Sequence, residues 1–135
     1  MAFYLDTSAL VKLVVAEAET AGLTTWLAER ERGPVTCDLT RTELARAVRR
    51  VAPDRMPRAR AVLDAVVLLK VTTATFEVAG RLEPGELRSL DAIHVAAALE
   101  LGDDLEGIVA YDRRLASVAE ANGIDVRAPG RSTSA

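Results

Sequence analysis

Short apolar runs alternate with longer stretches of helical periodicity along almost the whole chain, and this alternation constrains the fold most. The runs at residues 3–5, 35–37, 70–72, 107–111 and 124–126 have the length and composition of buried strands. Between them, apolar residues recur at the three- and four-residue spacing of amphipathic helices. The pattern predicts an α/β fold on a central, mainly parallel sheet.

Length and composition narrow the class further. A chain of 135 residues, half of them apolar, fits one domain with a core that needs no disulfide. We expect a single domain over residues 1–128 and a flexible polar tail over 129–135. The lone cysteine, Cys37, is expected in a buried strand. No signal peptide and no span of about 20 apolar residues is evident, so we expect no membrane contact and a cytoplasmic location.

Four acidic residues lie where an α/β sheet usually carries its chemistry. Asp6 and Asp112 directly follow predicted strands, while Glu43 and Asp91 lie in the first turn of predicted helices. Each acid also has a local explanation. Asp6 and Asp112 are good helix caps, Glu43 completes a Thr-x-x-Glu capping box, and Asp91 complements a helix dipole.

Taken together, the four carboxylates point to a bound cation. Carboxylates gathered at one edge of a small sheet repel each other unless a cation compensates. An oxygen-only ligand set without a Cys/His cluster favours Mg²⁺ or Mn²⁺ over zinc. Such ions activate water for phosphodiester hydrolysis. The positions alone predict metal-dependent phosphoryl chemistry.

Four sequence motifs carry a family resemblance. They are Tyr-Leu-Asp-Thr-Ser-Ala-Leu at 4–10, Thr-Glu-Leu at 42–44, Leu-Asp-Ala-Ile-His-Val-Ala at 90–96 and Tyr-Asp-Arg-Arg-Leu at 111–115. In this order and spacing the chain resembles the PIN-domain ribonucleases and, within them, the VapC-type toxins of toxin–antitoxin pairs.

The resemblance implies a three-layer α/β/α sandwich and an endoribonuclease that uses Mg²⁺ or Mn²⁺. Asp6 and Asp91 would be the main metal ligands, and Glu43 and Asp112 would complete the pocket. It also implies an RNA substrate, inhibition by a cognate VapB-type antitoxin, and a homodimer or a toxin–antitoxin hetero-oligomer. The nuclease domain would be the one expected over residues 1–128.

One residue departs from the family pattern. Many relatives have Ser or Thr two residues before the last acid, and this chain has Ala110. The missing hydroxyl leaves the role of Asp112 less defined, although Thr7 or Ser8 offers a substitute. His94, one turn after Asp91, is interpreted as a packed or hydrogen-bonded helix residue rather than a general base.

Arginines supply candidate RNA contacts. The net charge is -3, yet seven arginines lie between residues 41 and 60. Arg46 and Arg50 lie on roughly the same helical face as Glu43, and Arg113 follows Asp112, so these three are candidates for phosphate binding. A merely solvent-exposed basic face is the alternative.

Three other functions fit parts of the sequence. A phosphatase with an aspartyl nucleophile expects a second aspartate where Ser8 stands. A receiver domain expects a lysine in a late strand, and the only lysines are Lys12 and Lys70. The third alternative is a PIN-fold module with weakened catalysis that retains antitoxin or RNA binding.

Overall fold

The predicted alternation of strands and helices is confirmed by the structure, a computed structural model that describes residues 1–132. Its five strands are β1 (Ala2–Leu5), β2 (Val35–Cys37), β3 (Val67–Leu69), β4 (Leu105–Val109) and β5 (Val126–Arg127). Its α-helices are α1 (Thr7–Val14), α2 (Thr20–Ala28), α3 (Leu39–Val51), α4 (Met56–Ala65), α5 (Thr73–Arg81), α6 (Ser89–Leu99) and α7 (Arg113–Ala121). Short 3₁₀ turns at Pro53–Arg55 and Gly102–Asp104 precede α4 and β4.

The five strands form one sheet in the order β3-β2-β1-β4-β5, and every neighbouring pair is parallel. Strand β1 is central and pairs with β2 on one side and with β4 on the other. The chain builds outward from β1 to β3 and then returns to place β4 on the opposite side. The strand order therefore reverses between β1 and β4, which is the place where ligands bind in open α/β sheets.

Helices cover both faces of the sheet. Phe3 and Leu5 of β1 pack in one apolar cluster with residues of α1, α2, α3 and α4. Tyr4, which alternation directs to the other face, packs with Cys37 and with residues of α6 and α7. Helix α5 packs against α6 through small residues. These two cores confirm the three-layer α/β/α sandwich, and Cys37 is fully buried in β2 as expected.

The predicted position of the third strand, residues 70–72, was wrong. Helix α4 ends at Ala65, and β3 occupies Val67–Leu69. Apolar residues at 62, 63, 66 and 67 fit a helical period, but the backbone of Val67 pairs with that of Val35 in β2. Strands β4 and β5 are also displaced from their predicted bounds, by two residues or fewer.

The segment predicted as a flexible tail, 129–135, is described as far as residue 132. The Tyr111 hydroxyl donates a hydrogen bond of 2.6 Å to the Pro129 carbonyl oxygen. The Arg131 guanidinium bonds to the Tyr111 carbonyl oxygen and lies 5.5 Å from the centre of its ring. Residues 133–135 lie outside the described part of the chain. Among residues 1–132, no helix has the length and apolar character needed to cross a bilayer.

Candidate active site

Asp6 is a nearly buried carboxylate at the end of the central strand. It is the N-cap of α1, and its Oδ1 accepts hydrogen bonds from the Ala9 backbone N–H at 3.1 Å and from the Ser8 hydroxyl at 2.6 Å. Asp6 is only 3% exposed to solvent. Burial raises the pKa of Asp6 from 3.8 to about 6, despite the opposing hydrogen bonds from Ser8 and Ala9. A negative charge at this position is therefore costly in the protein alone.

Ser8 connects Asp6 to the loop that carries Asp112. While its hydroxyl donates to Asp6, its Oγ accepts from the backbone N–H of Tyr111 at 2.9 Å and from that of Asp112 at 3.3 Å. The sequence offered Thr7 or Ser8 as a substitute for the hydroxyl missing at Ala110, and in the structure Ser8 bonds to both acidic segments. Ala110 itself is fully buried.

Asp112 is the N-cap of α7, as its position after a strand suggested. Its Oδ1 accepts from the backbone N–H groups of Arg114 at 2.8 Å and of Leu115 at 3.3 Å. The negative charge of Asp112 raises the pKa of both Asp6 and Asp91, after the larger effect of burial on each. The structure thus places the three aspartates close enough for their charges to interact.

Glu43 does not complete the capping box that its spacing with Thr40 suggested. The Thr40 hydroxyl donates to the Cys37 carbonyl oxygen at 2.8 Å, and the N-cap of α3 is Asp38, whose side chain makes no capping bond. The Thr7 hydroxyl donates a hydrogen bond of 2.6 Å to Oε1 of Glu43. The same oxygen lies 2.6 Å from Nε2 of His94. Burial opposes ionisation of Glu43, but these two bonds outweigh it and lower its pKa.

His94 is buried between Glu43 and the central strand. It is 3% exposed, and its Nδ1 lies 2.8 Å from the Tyr4 hydroxyl oxygen. Burial disfavours the imidazolium, yet the neighbouring Cys37 thiol and the Glu43 carboxylate raise the pKa of His94 to about 10. The interpretation of His94 as a hydrogen-bonded helix residue agrees with these contacts, whose partners the sequence did not identify.

Asp91 lies in the first turn of α6 and is held less tightly than the other acids. The N-cap of α6 is Arg88, which makes no side-chain capping bond. Burial raises the pKa of Asp91, and the charge of Asp112 raises it further, against the opposing effect of Arg88. Glu43 also acts on Asp91 in the same direction as Asp112. All four sequence-predicted acids therefore belong to one electrostatic cluster.

The carboxylates leave oxygen atoms open for a ligand. The hydrogen bonds to Asp6, Glu43 and Asp112 all end on one oxygen of each side chain. No hydrogen bond from residues 1–132 reaches the second oxygen of these three groups or either oxygen of Asp91. Within the same residues no three His, Cys, Asp or Glu side chains form a ready metal cage. An open oxygen set fits Mg²⁺ or Mn²⁺, since Mg²⁺ keeps several waters and uses one or two carboxylates.

Arginines line two surface hollows, one on α3 and one at the start of α7. Arg46 and Arg50 are exposed on α3 and, with Arg49, line a hollow of about 310 Å³. Arg113 is exposed at the start of α7 and lines a second hollow of about 460 Å³ that includes Arg88 and Arg114. Arg88 and Arg114 were not among the predicted phosphate contacts, although their positions three residues before Asp91 and two after Asp112 were a signal.

Comparisons with known proteins agree with this fold. A family model described as the PIN domain matches residues 3–121. Two curated relatives from Mycobacterium tuberculosis are ribonuclease VapC47, 43% identical over 94% of this chain and 96% of its own, and ribonuclease VapC46, 42% identical over 95% and 98%. A crystal structure of Mycobacterium tuberculosis VapC20, titled a sarcin-ricin loop cleaving toxin, superposes with a TM-score of 0.72. It is 19% identical and covers 92% of this chain and 97% of its own, so it supports the fold alone.

Proposed function

Because the chain belongs to the PIN-domain family and, within it, to the VapC group, we propose that it is a metal-dependent endoribonuclease acting as the toxin of a VapBC-type pair. The observation that carries the proposal is that hydrogen bonds link the segments carrying the four acids. Ser8 bonds to Asp6 and to the backbone of Asp112, and Glu43 bonds to His94, one turn after Asp91. Because the proposed substrate is RNA, we propose that the protein acts in the cytoplasm.

We assign Asp6 and Asp91 as the main ligands of Mg²⁺ or Mn²⁺. Glu43 and Asp112 complete the site with their open oxygens, by holding a second ion or a water molecule. When bound, the ion lowers the pKa of a coordinated water and neutralises charge on the leaving oxygen of the phosphodiester. Burial of Asp6 supports the assignment, because a cation offsets the cost of an ionised carboxylate in a position that is 3% exposed.

The substrate backbone is proposed to meet the two basic hollows. RNA phosphates would be neutralised by Arg46 and Arg50 on one side and by Arg113 on the other. These local positive charges are needed because the net charge of the whole chain, -3, does not favour RNA binding. A double substitution, Arg46→Ala with Arg50→Ala, should weaken RNA binding and flatten its salt dependence by about 0.7 in log–log slope per lost phosphate contact. The control is Arg81→Ala, an exposed arginine of α5. An unchanged slope would remove these arginines from the interface.

The partners follow from the family relationship. We propose inhibition by a VapB-type antitoxin and assembly as a homodimer or as a toxin–antitoxin hetero-oligomer, since curated VapC relatives match at 41–43% identity over most of this chain. Coexpression with a VapB-type antitoxin and light scattering of the purified complex would measure the stoichiometry.

A nuclease assay tests the proposed activity. The wild-type chain should cleave RNA with Mg²⁺ or Mn²⁺ and stop with EDTA, while Asp91→Asn should lose cleavage and remain folded. The matched control Asp103→Asn removes an exposed carboxylate from the Gly102–Asp104 turn and should retain activity. Sequencing the 5′ ends of RNA fragments after brief expression would identify the target. Binding of RNA or antitoxin without any cleavage would instead support the catalytically weakened module.

A further inference from the structure

The buried histidine of α6 contacts one of the four acids directly, and this contact suggests a role for it. We propose that His94 is a positioning residue: its imidazole holds the Glu43 carboxylate so that one oxygen is anchored in the protein and the other faces the site. This inference rests on the proposed function and specifies how one acid of the site is aimed.

The direction of the bond is fixed by chemistry. An ionised carboxylate only accepts hydrogen bonds, so Nε2 of His94 donates to Glu43 Oε1 across 2.6 Å. The other ring nitrogen faces the Tyr4 hydroxyl at 2.8 Å, and a hydroxyl both donates and accepts. Tyr4 therefore satisfies Nδ1 whether the ring is neutral or charged, and the bond to Glu43 persists in both forms.

The bonded chain crosses the elements that carry the acids. Tyr4 lies in β1 two residues before Asp6, and Thr7 directly follows that acid. His94 lies one turn after Asp91 in α6, and Glu43 lies in α3. The hydrogen-bonded contacts run from Tyr4 through His94 and Glu43 to Thr7. They hold α6, α3 and α1 in position relative to the central strand β1 at the site.

The geometry excludes two simpler roles for His94. A general base needs a free nitrogen that reaches substrate, but both ring nitrogens are occupied and the residue is 3% exposed. A residue that only fills the core needs no polar partner, but His94 and Thr7 both bond to Oε1 of Glu43. That convergence leaves Oε2 without a hydrogen bond from residues 1–132, which is the arrangement expected when the second oxygen serves a ligand.

The test measures Mn²⁺ affinity by electron paramagnetic resonance, together with RNA cleavage and thermal unfolding. His94→Leu replaces the imidazole with an apolar side chain of similar size and should weaken Mn²⁺ binding at least tenfold, as loss of a group that orients a ligand usually does. His94→Gln retains a donor and should restore affinity to within about threefold of wild type. Thr75→Val is the control, because it removes a buried hydroxyl that bonds to Glu100 at the opposite end of α6 and should not change Mn²⁺ affinity.

The outcomes separate this inference from the proposed function. Wild-type Mn²⁺ binding and cleavage with no difference between His94→Leu and Thr75→Val would overturn the role of His94 alone. Absence of both Mn²⁺ binding and cleavage in the wild type would overturn both proposals. If His94→Leu does not fold, Tyr4→Phe decides: removal of the hydroxyl that orients the ring should weaken Mn²⁺ binding by about threefold to tenfold. Unchanged affinity in that folded variant would refute the inference.

Discussion

Replacement of Asp6 by asparagine should stabilise the metal-free protein at neutral pH, although it removes an acid from the proposed site. The rise in the Asp6 pKa from 3.8 to about 6 corresponds to about 3 kcal/mol of unfavourable free energy when the buried carboxylate is ionised. Asparagine is as good an N-cap as aspartate, and its oxygen can still accept from Ala9 and Ser8. The new amide N–H₂ lacks an assigned partner, which costs about 1 kcal/mol. The expected gain is therefore about 2 kcal/mol at pH 8.

The pH dependence identifies the cause of this gain. Because the folded-state pKa of Asp6 is raised, the folded protein holds its proton more tightly than the unfolded chain between pH 3.8 and about 6. Wild-type stability attributable to this group is highest in acid and falls as pH rises through that window. The advantage of Asp6→Asn should therefore shrink by about 1.5 kcal/mol between pH 8 and pH 5.

Urea denaturation in EDTA at the two pH values measures both effects, with Asp103→Asn as an exposed control that should show neither. Addition of Mn²⁺ at about 100 times its Kd should then stabilise the wild type by about 2.7 kcal/mol but not Asp6→Asn. A difference between Asp6→Asn and wild type that is zero or negative at pH 8, and flat down to pH 5, would refute the argument from burial.

Two further substitutions probe the supports of the site. Ser8→Ala removes bonds to Asp6 and to two backbone N–H groups, so we expect a loss of about 1–3 kcal/mol in unfolding free energy by urea titration; a cost below 0.5 kcal/mol would contradict the bridging role. Gly22→Ala would bring a Cβ to 2.7 Å from the Gly130 Cα and should destabilise by about 1–3 kcal/mol in the same assay. The control Gly80→Ala, on α5 with no atom within 4 Å of its new Cβ, should gain roughly 0.5 kcal/mol, and equal effects at both glycines would exclude the packing explanation.

Local pattern was sufficient to predict most of the sheet. Strands β1 and β2 were located from their apolar composition, and the parallel arrangement followed from the alternation with helices. Strand β3 was misplaced because Val67–Leu69 is short, partly exposed and continuous with the apolar face of α4. Its strand conformation depends on pairing with β2, which lies about thirty residues earlier, so the local pattern of apolar residues does not reveal it.

The same distinction applies to the site. The positions of the four acids were predictable because each follows a strand or begins a helix, and sheet topology brings those points to one edge. Their individual supports were not predictable, because the bonds of Glu43 join residues 36 and 51 positions apart in sequence. Its spacing with Thr40 suggested a local capping box, but a partly buried carboxylate gains more from a hydroxyl and an imidazole than from one backbone N–H.

Helix capping and ligand binding were opposed interpretations of the acids, and the structure shows that the same side chain can serve both. Asp6 and Asp112 each cap a helix through Oδ1, which leaves Oδ2 without a hydrogen bond from residues 1–132. Capping fixes the rotamer of the carboxylate and therefore the direction of the open oxygen. Glu43 reaches the same result without capping, since Thr7 and His94 hold its Oε1. Asp91 has no such anchor. In the proposed metal site its orientation depends most on the ion, so its substitution should affect metal binding with the smallest change in the stability of the metal-free fold.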